Sequence, residues 1–247
     1  MKGLRLDQRL VQDGLAPTRS HAEALIRAGQ VLVDDMPVDK PGAQVKTGSQ
    51  VRLRGEPKRF VSRGGEKLAG ALADLAVNPA GMRCLDVGAS TGGFTDCLLA
   101  AGARQVVAVD VGYGQLAPRL REDPRVVVLE RRNARGLEPS DLAGPVELIT
   151  VDVSFISVRL LLPVLARVAP EASWLVLVKP QFEVGKGRVC KGGVVRDDAL
   201  RAQAVACVRE AAQALGLEVL GEAESRLSGA KGNREVFLHL RASPARA

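Results

Sequence analysis

The sequence predicts a mixed α/β chain: a doubly wound, mainly parallel sheet preceded by a smaller N-terminal α/β unit. Three observations predict it. From Met82 onward, short continuous apolar runs alternate with helical stretches, the way strands buried on both faces read. A glycine-rich turn follows the first of these runs, in RCLDVGASTGGFTD from Arg83 to Asp96. The first 55 or so residues hold two helical patterns and then several short strands.

Residues 4–15 place Leu6 and Leu10 at helical spacing and stop at Gly14. A second helix follows Ala16-Pro17. Thr18 or Ser20 can cap it, with Glu23 completing a capping box to Ser20; Ala22, Leu25 and Ile26 form its stripe, and Gly29 ends it. Val31–Val33, the turn at Asp34-Asp35, Met36–Val38, Val45 and residues 51–53 read as short strands. The polar, proline-containing stretch 56–60 reads as the boundary, giving a domain over 1–58, a linker over 59–62 and a main domain over 63–247. In the main domain a helix starting near Gly65 buries Leu68, Ala71, Leu72 and Leu75. Lys67 lies near its start, where the helix dipole does not favour a cation. Strands CLDVG, VVAVDV, VVVL, VELITVDV and WLVLVK then alternate with helices over 94–101, near 115–121, near 140 and over 158–168. A basic, glycine-rich stretch after Lys179 reads as a mobile substrate loop. Asp197 or Asp198 caps a long helix ending at Gly216, and two antiparallel strands close one edge of the sheet.

The glycine-rich turn carries the first chemical signal. Gly88, Gly92 and Gly93 permit a sharp bend and a close ligand approach, and the next helix offers free N–H groups at its start. Asp86 at the strand tip repels a diphosphate but suits a cationic or hydroxyl-bearing ligand. Asp110 ends the next apolar run about 20 residues on, where a dinucleotide-type unit holds ribose hydroxyls. Together they favour a positively charged nucleoside, which S-adenosylmethionine is. An ordinary glycine-rich turn without a ligand accounts for this motif equally well.

Composition narrows the partners. Net charge is +7, and residues 1–60 carry eleven lysines and arginines against seven acids, which points to a polyanion. Apolar residues make up 46% of the chain, enough for a core, and aromatics only 3%, so Ala, Val and Leu must do the packing. Cys84, Cys97, Cys190 and Cys207 have no C-x-x-C spacing, and His21 and His239 lie far apart, so neither zinc, another metal nor disulfides are expected, and a reducing cytoplasm fits. No basic-apolar-small leader pattern is read at Met1, and no apolar run approaches the ~20 residues of a membrane span. A membrane partner is not expected, and the chain is read as a monomer.

Lys67, Asp152, Lys179 and Glu235 stand out by position. Asp152 and Lys179 follow adjacent strands, Glu235 opens the last strand, and Lys67 comes from the helix before the sheet. Asp86, Asp110, Asp152 and Lys179 all end apolar runs, so all four are expected to face one crevice. Two lysines and two acids there suit methylation of a ribose 2′-hydroxyl, where a lysine of lowered basicity takes the proton. For any one member, a surface ion pair is the simpler account.

Two resemblances complete the reading. RLDQRLVQDGLAPTRSHAEALIRAGQVLVDD, ending in VKTGSQVRL, resembles the S4 RNA-binding domain, which implies phosphate contacts by Arg5, Arg19, Arg27 and Lys40 that position RNA without reading its sequence. SRGGEKL, CLDVGASTGGFTDCLL, VDVGYGQL, ERRNAR, DVSFISV, VKPQFE and KGNREVF resemble the FtsJ-like RNA 2′-O-methyltransferases, and the whole chain resembles the TlyA (haemolysin A) family. The resemblance implies a Rossmann-like class I methyltransferase sheet, S-adenosylmethionine as cofactor, and methylation of cytidine 2′-hydroxyls in 16S ribosomal RNA, 23S ribosomal RNA or both. It implies a catalytic set of Lys67, Asp152, Lys179 and Glu235, with Lys179 as base. It implies cofactor contacts from Asp86, Gly88, Ser90, Gly92, Gly93, Phe94, Asp110, Asn133, Ala134 and Asp152, and further RNA contacts from Arg63, Lys186, Arg188 and Lys191. An RNA- or ribosome-binding module without activity and a haemolysin-type membrane-active protein are the alternative readings. A nicotinamide-dependent dehydrogenase is disfavoured by Asp86 and by the incomplete G-x-G-x-x-G spacing.

Overall fold

The computed structural model describes residues 3–54, 59–185, 189–190, 192–229 and 231–243. Two compact units divide the chain, Met1–Lys58 and Arg59–Ala247. The expected RNA contacts Lys186, Arg188 and Lys191 lie outside the described residues.

In the first unit β1 (Leu4–Arg5) leads into α1 (Leu6–Gln12), and α2 (Arg19–Arg27) packs against it. Strands β2 (Val31–Val33), β3 (Met36–Pro37), β4 (Gln44–Val45) and β5 (Val51–Leu53) follow. β1 pairs with β4, and β2 lies between β3 and β5, all antiparallel. Leu6, Leu10, Ala22, Ile26, Val31 and Val45 close a small core. The cap of α2 is Thr18, whose hydroxyl accepts from the His21 amide at 3.2 Å. The Ser20–Glu23 box does not form. Glu23 instead sits 3.6 Å from both Arg19 and Arg27, where i,i+4 spacing puts it.

The second unit opens with α3 (Arg63–Asp74), which starts two residues before the expected Gly65 because the Ser62 hydroxyl accepts from the Gly64 amide and supplies the cap. Then come β6 (Arg83–Val87), α4 (Gly93–Ala100), β7 (Gln105–Val109), α5 (Pro118–Arg121), β8 (Val126–Leu129), β9 (Leu148–Val151), α6 (Leu162–Val168), β10 (Ser173–Val178), α7 (Pro180–Glu183), α8 (Asp198–Ala214), β11 (Leu217–Glu224) and β12 (Val236–Ala242). The seven strands lie in the order β11-β12-β10-β9-β6-β7-β8. β12 runs antiparallel to β10 and β11, as expected, and the other pairings are parallel. The chain winds outward from β6 to β8 and then returns to β9, so the sheet has its switch point between β6 and β9, where such sheets bind ligands at the strands' carboxyl ends. One face of the sheet is covered by the apolar side chains of α6 and α8, the other by those of α3 and α4.

Three helices are shorter than the pattern predicts. The helix near 140 is a 3-10 turn, Pro139–Leu142, and that over 158–168 is a 3-10 turn, Val158–Leu160, followed by α6. Pro163 has no N–H to donate and is accommodated only in a first turn, which fixes where α6 begins. α5 has a single turn for the same reason, with Pro118 at its start. Asp197 caps α8, accepting from the amides of Ala199 and Leu200. Cys84 and Cys97 are buried and their thiols are pushed up to about 12 by burial, whereas Cys190 is exposed and Cys207 half-buried.

Candidate active site

The switch point carries the crevice. Gly88 follows β6 at φ 88°, and a Cβ there would lie 2.5 Å from the Asp152 carbonyl oxygen. Only glycine lets the tips of β6 and β9 come this close. Ser90 adopts φ 48°, a left-handed conformation unusual for a side chain, and its amide donates to Asp110 at 2.7 Å. The other Asp110 oxygen accepts from the Gly112 amide at 2.7 Å, so this carboxylate ties the turn after β6 to the turn after β7. A cavity of about 590 Å³ opens here, lined among others by Gly88, Ser90, Asp110, Asn133, Ala134 and Asp152. A second, of about 220 Å³, shares Gly88, Ser90 and Asp152 and adds Arg63, Lys67, Gly93 and Phe94. A larger groove of about 810 Å³ beside α3, lined by Arg59, Glu66, Gly70 and Arg226, shares none of these crevice residues.

Around the second cavity the four polar residues form two ion pairs. Lys67 Nζ donates to Glu235 Oε2 at 2.5 Å, with the lysine side chain 11% and the glutamate 2% exposed. Lys179 Nζ lies 2.5 Å from Asp152 Oδ1 and donates to Ser154 Oγ at 2.9 Å. Lys67 and Asp152 face the same cavity, so the two pairs meet at one place. Two cations and two carboxylates leave the cluster formally neutral, which is how four charged groups can share a partly desolvated site.

Two expected ligand contacts turn away from the crevice. Asp86 is fully buried inside β6 rather than at its tip, and it accepts from the hydroxyls of Thr95 at 2.7 Å and Thr150 at 3.1 Å. The alternation of the strand sends its side chain into the core, where it ties β6 to α4 and β9. Gly92, at φ 95°, backs onto Leu116 and Leu120; a Cβ there would fall 2.3 Å from Leu120. Its missing side chain makes room for that packing, and it is not among the residues that line the two cavities. Phe94 is 3% exposed and stacks on Phe237, so it belongs chiefly to the core.

Burial pushes the Asp86 carboxyl up from the ordinary 3.8 to about 7, against the two threonine hydroxyls. The folded state therefore favours its protonated form. This contribution to stability is complete below about pH 4 and is lost as pH rises through 7; at about 1.4 kcal/mol per pKa unit it is on the order of 4 kcal/mol. Asp86→Asn keeps the shape and removes the titration. Its unfolding free energy should lack this slope between pH 4 and 7; an unchanged slope in denaturant melts would refute the assignment.

Of the expected RNA contacts in the first unit, Arg5 and Arg19 both pair with the buried Asp7. Arg5 donates to both its oxygens, at 3.1 and 2.9 Å, and Arg19 to one, at 2.9 Å. The bonds from Arg5 bring the Asp7 carboxyl down to about 2 against the cost of burial. The two guanidiniums are thus fixed in direction while staying 40% and 54% exposed. Arg27 and Lys40 are exposed. Arg63, on α3, is exposed and donates to the Ser228 carbonyl at 2.9 Å.

The sequence reading missed Ser154, Phe155 and Glu183. Phe155 is 89% exposed at φ 71°, its ring 5.6 Å from that of Phe182. Glu183 is buried and accepts from the Ser157 hydroxyl at 2.5 Å and the Val158 amide at 2.8 Å. The two motifs that hold them, DVSFISV and VKPQFE, are visible in the sequence; their joining is not.

The FtsJ-like methyltransferase profile matches residues 60–242, and the S4 domain profile residues 4–51. The chain is 52% identical over 245 residues to the 16S/23S rRNA (cytidine-2′-O)-methyltransferase TlyA of Mycobacterium tuberculosis, covering 98% of this chain and 91% of that protein. It is 38% identical to hemolysin A of Brachyspira hyodysenteriae, covering 96% and 99% of the two. A solved structure from Streptococcus thermophilus, described as a hemolysin candidate, superposes with a TM-score of 0.76 at 40% identity, covering 98% of this chain and 90% of that one. The chain belongs to the FtsJ-like methyltransferases, in the TlyA family that joins this domain to an S4 domain.

Proposed function

We propose that this protein transfers a methyl group from S-adenosylmethionine to the 2′-hydroxyl of a cytidine in ribosomal RNA. The observation that carries the reading is the meeting of the Lys67–Glu235 and Asp152–Lys179 pairs at the mouth of a crevice of nucleoside size. The cytidine and the ribosomal RNA come from the activity named for the Mycobacterium relative. The crevice fits the cofactor: its cavity is of nucleoside size, and it is lined by the Asp110 carboxylate, which suits ribose hydroxyls and a cationic ligand. Asp110 meets the ribose, Ser90 and Gly93 flank the methionine end, and Asn133 and Ala134 border the base.

When bound, the cofactor supplies a sulfonium methyl that needs no further activation. The chain's residues do the positioning, the larger share of the rate. The residues of the crevice would present the target 2′-hydroxyl to that methyl. The hydroxyl proton passes to Nζ of Lys179, which Asp152 holds in place. Lys67, held by the buried Glu235, lines the smaller cavity. Phe155 offers an exposed ring beside the crevice on which an unstacked base can lie.

The S4 unit supplies phosphate contacts, and ribosomal subunits in the cytoplasm are the substrate. Among the described residues no helix is long and apolar enough to cross a membrane. Ribosomal RNA from cells with and without the gene, digested and analysed by mass spectrometry, should differ in one or a few 2′-O-methylcytidines. Identical digests would end the proposal.

A further inference from the structure

Lys179 has two neighbours, and they do different things. The Asp152 carboxylate, with Oδ1 2.5 Å from Nζ, pairs its charge with the amine. A hydrogen bond from Lys179 Nζ to the Ser154 hydroxyl, at 2.9 Å, fixes a second direction. A neutral amine has two N–H groups and one lone pair at tetrahedral angles. With one N–H fixed on Ser154 and the other toward Asp152, the lone pair is left for the crevice.

Ser154 is itself held in place. It lies in the short link between β9 and the 3-10 turn at Val158, next to Phe155 at φ 71°. Glu183 latches the far end of that link through Ser157, Val158 and, at 3.2 Å, Arg159. Glu183 sits on α7, the helix that begins directly after Lys179. The lysine and the hydroxyl that receives its bond are thus mounted on one frame.

We infer that Ser154 is a positioning residue that aims the Lys179 amine at the substrate hydroxyl. The inference rests on the reading of Lys179 as base. The test compares Ser154→Ala, Ser154→Thr and Lys179→Ala in the full-length protein with ribosomal RNA as substrate. Ser154→Ala should lower kcat about 10-fold or more, since small displacements of a reacting group cost this much. Its KM for RNA, its cofactor affinity and its Tm should stay at the parental values. Ser154→Thr, which keeps the hydroxyl, should restore most of kcat.

A Ser154→Ala protein with full kcat beside an inactive Lys179→Ala overturns the inference and leaves the reading of Lys179 standing. So does a kcat loss accompanied by a fall in cofactor affinity or Tm, or one that threonine fails to rescue, because the side chain would then only shape the loop. An active Lys179→Ala overturns both.

Discussion

Lys179→Ala should abolish methyl transfer, by a factor of about 100 to 10,000 in kcat, while cofactor affinity stays within a few-fold. The residue is not among those lining the larger cavity where the cofactor is placed; it pairs with Asp152, which is. Removing it deletes the proton acceptor without deleting a wall of the crevice. It does leave Asp152 without its cation, at 21% side-chain exposure, so part of that charge is met by water. Single-turnover methylation and isothermal titration with the cofactor separate the two effects. Loss of cofactor binding would assign Lys179 to the cofactor site instead.

Removal of residues 1–58 should weaken RNA binding on the order of 100-fold at physiological salt and leave cofactor affinity unchanged. Four basic side chains carry the expectation. Arg5 and Arg19 are aimed by Asp7, and Arg27 and Lys40 are exposed. Because such contacts release counterions, affinity of the full chain should fall steeply with salt, and the truncated chain should show a shallower slope. Equal methylation by the two forms would dismiss the N-terminal unit as the RNA anchor.

Much of this was legible from residue order alone. The alternation after Met82 gave the parallel strands, and the antiparallel edge followed from the short link between the last two. The pairs Lys67–Glu235 and Asp152–Lys179 could be suspected because all four residues flank strand ends or the leading helix. What could not be read is side-chain direction. Asp86 has an apolar neighbour on each side and a glycine after it, the same setting as a ligand-facing acid. It points inward because Thr95 and Thr150 stand ready to bond it, and nothing local announces them. Capping was ambiguous for a similar reason: Thr18 and Ser20 both fit, and the backbone chose the earlier one. Phe155 in a left-handed conformation has no sequence signal, since a bulky residue there needs Phe182 and the Glu183 latch to hold it.

The four thiols divide by reach. Cys84 and Cys97 sit on β6 and α4, the elements flanking the glycine turn, and stay protonated throughout the neutral range. An alkylating reagent therefore meets Cys190 first. Reaction at the inner two requires the strand and helix around the turn to separate, so their labelling rate, slowed or unslowed by an added nucleoside, becomes a clock for breathing at the heart of the sheet.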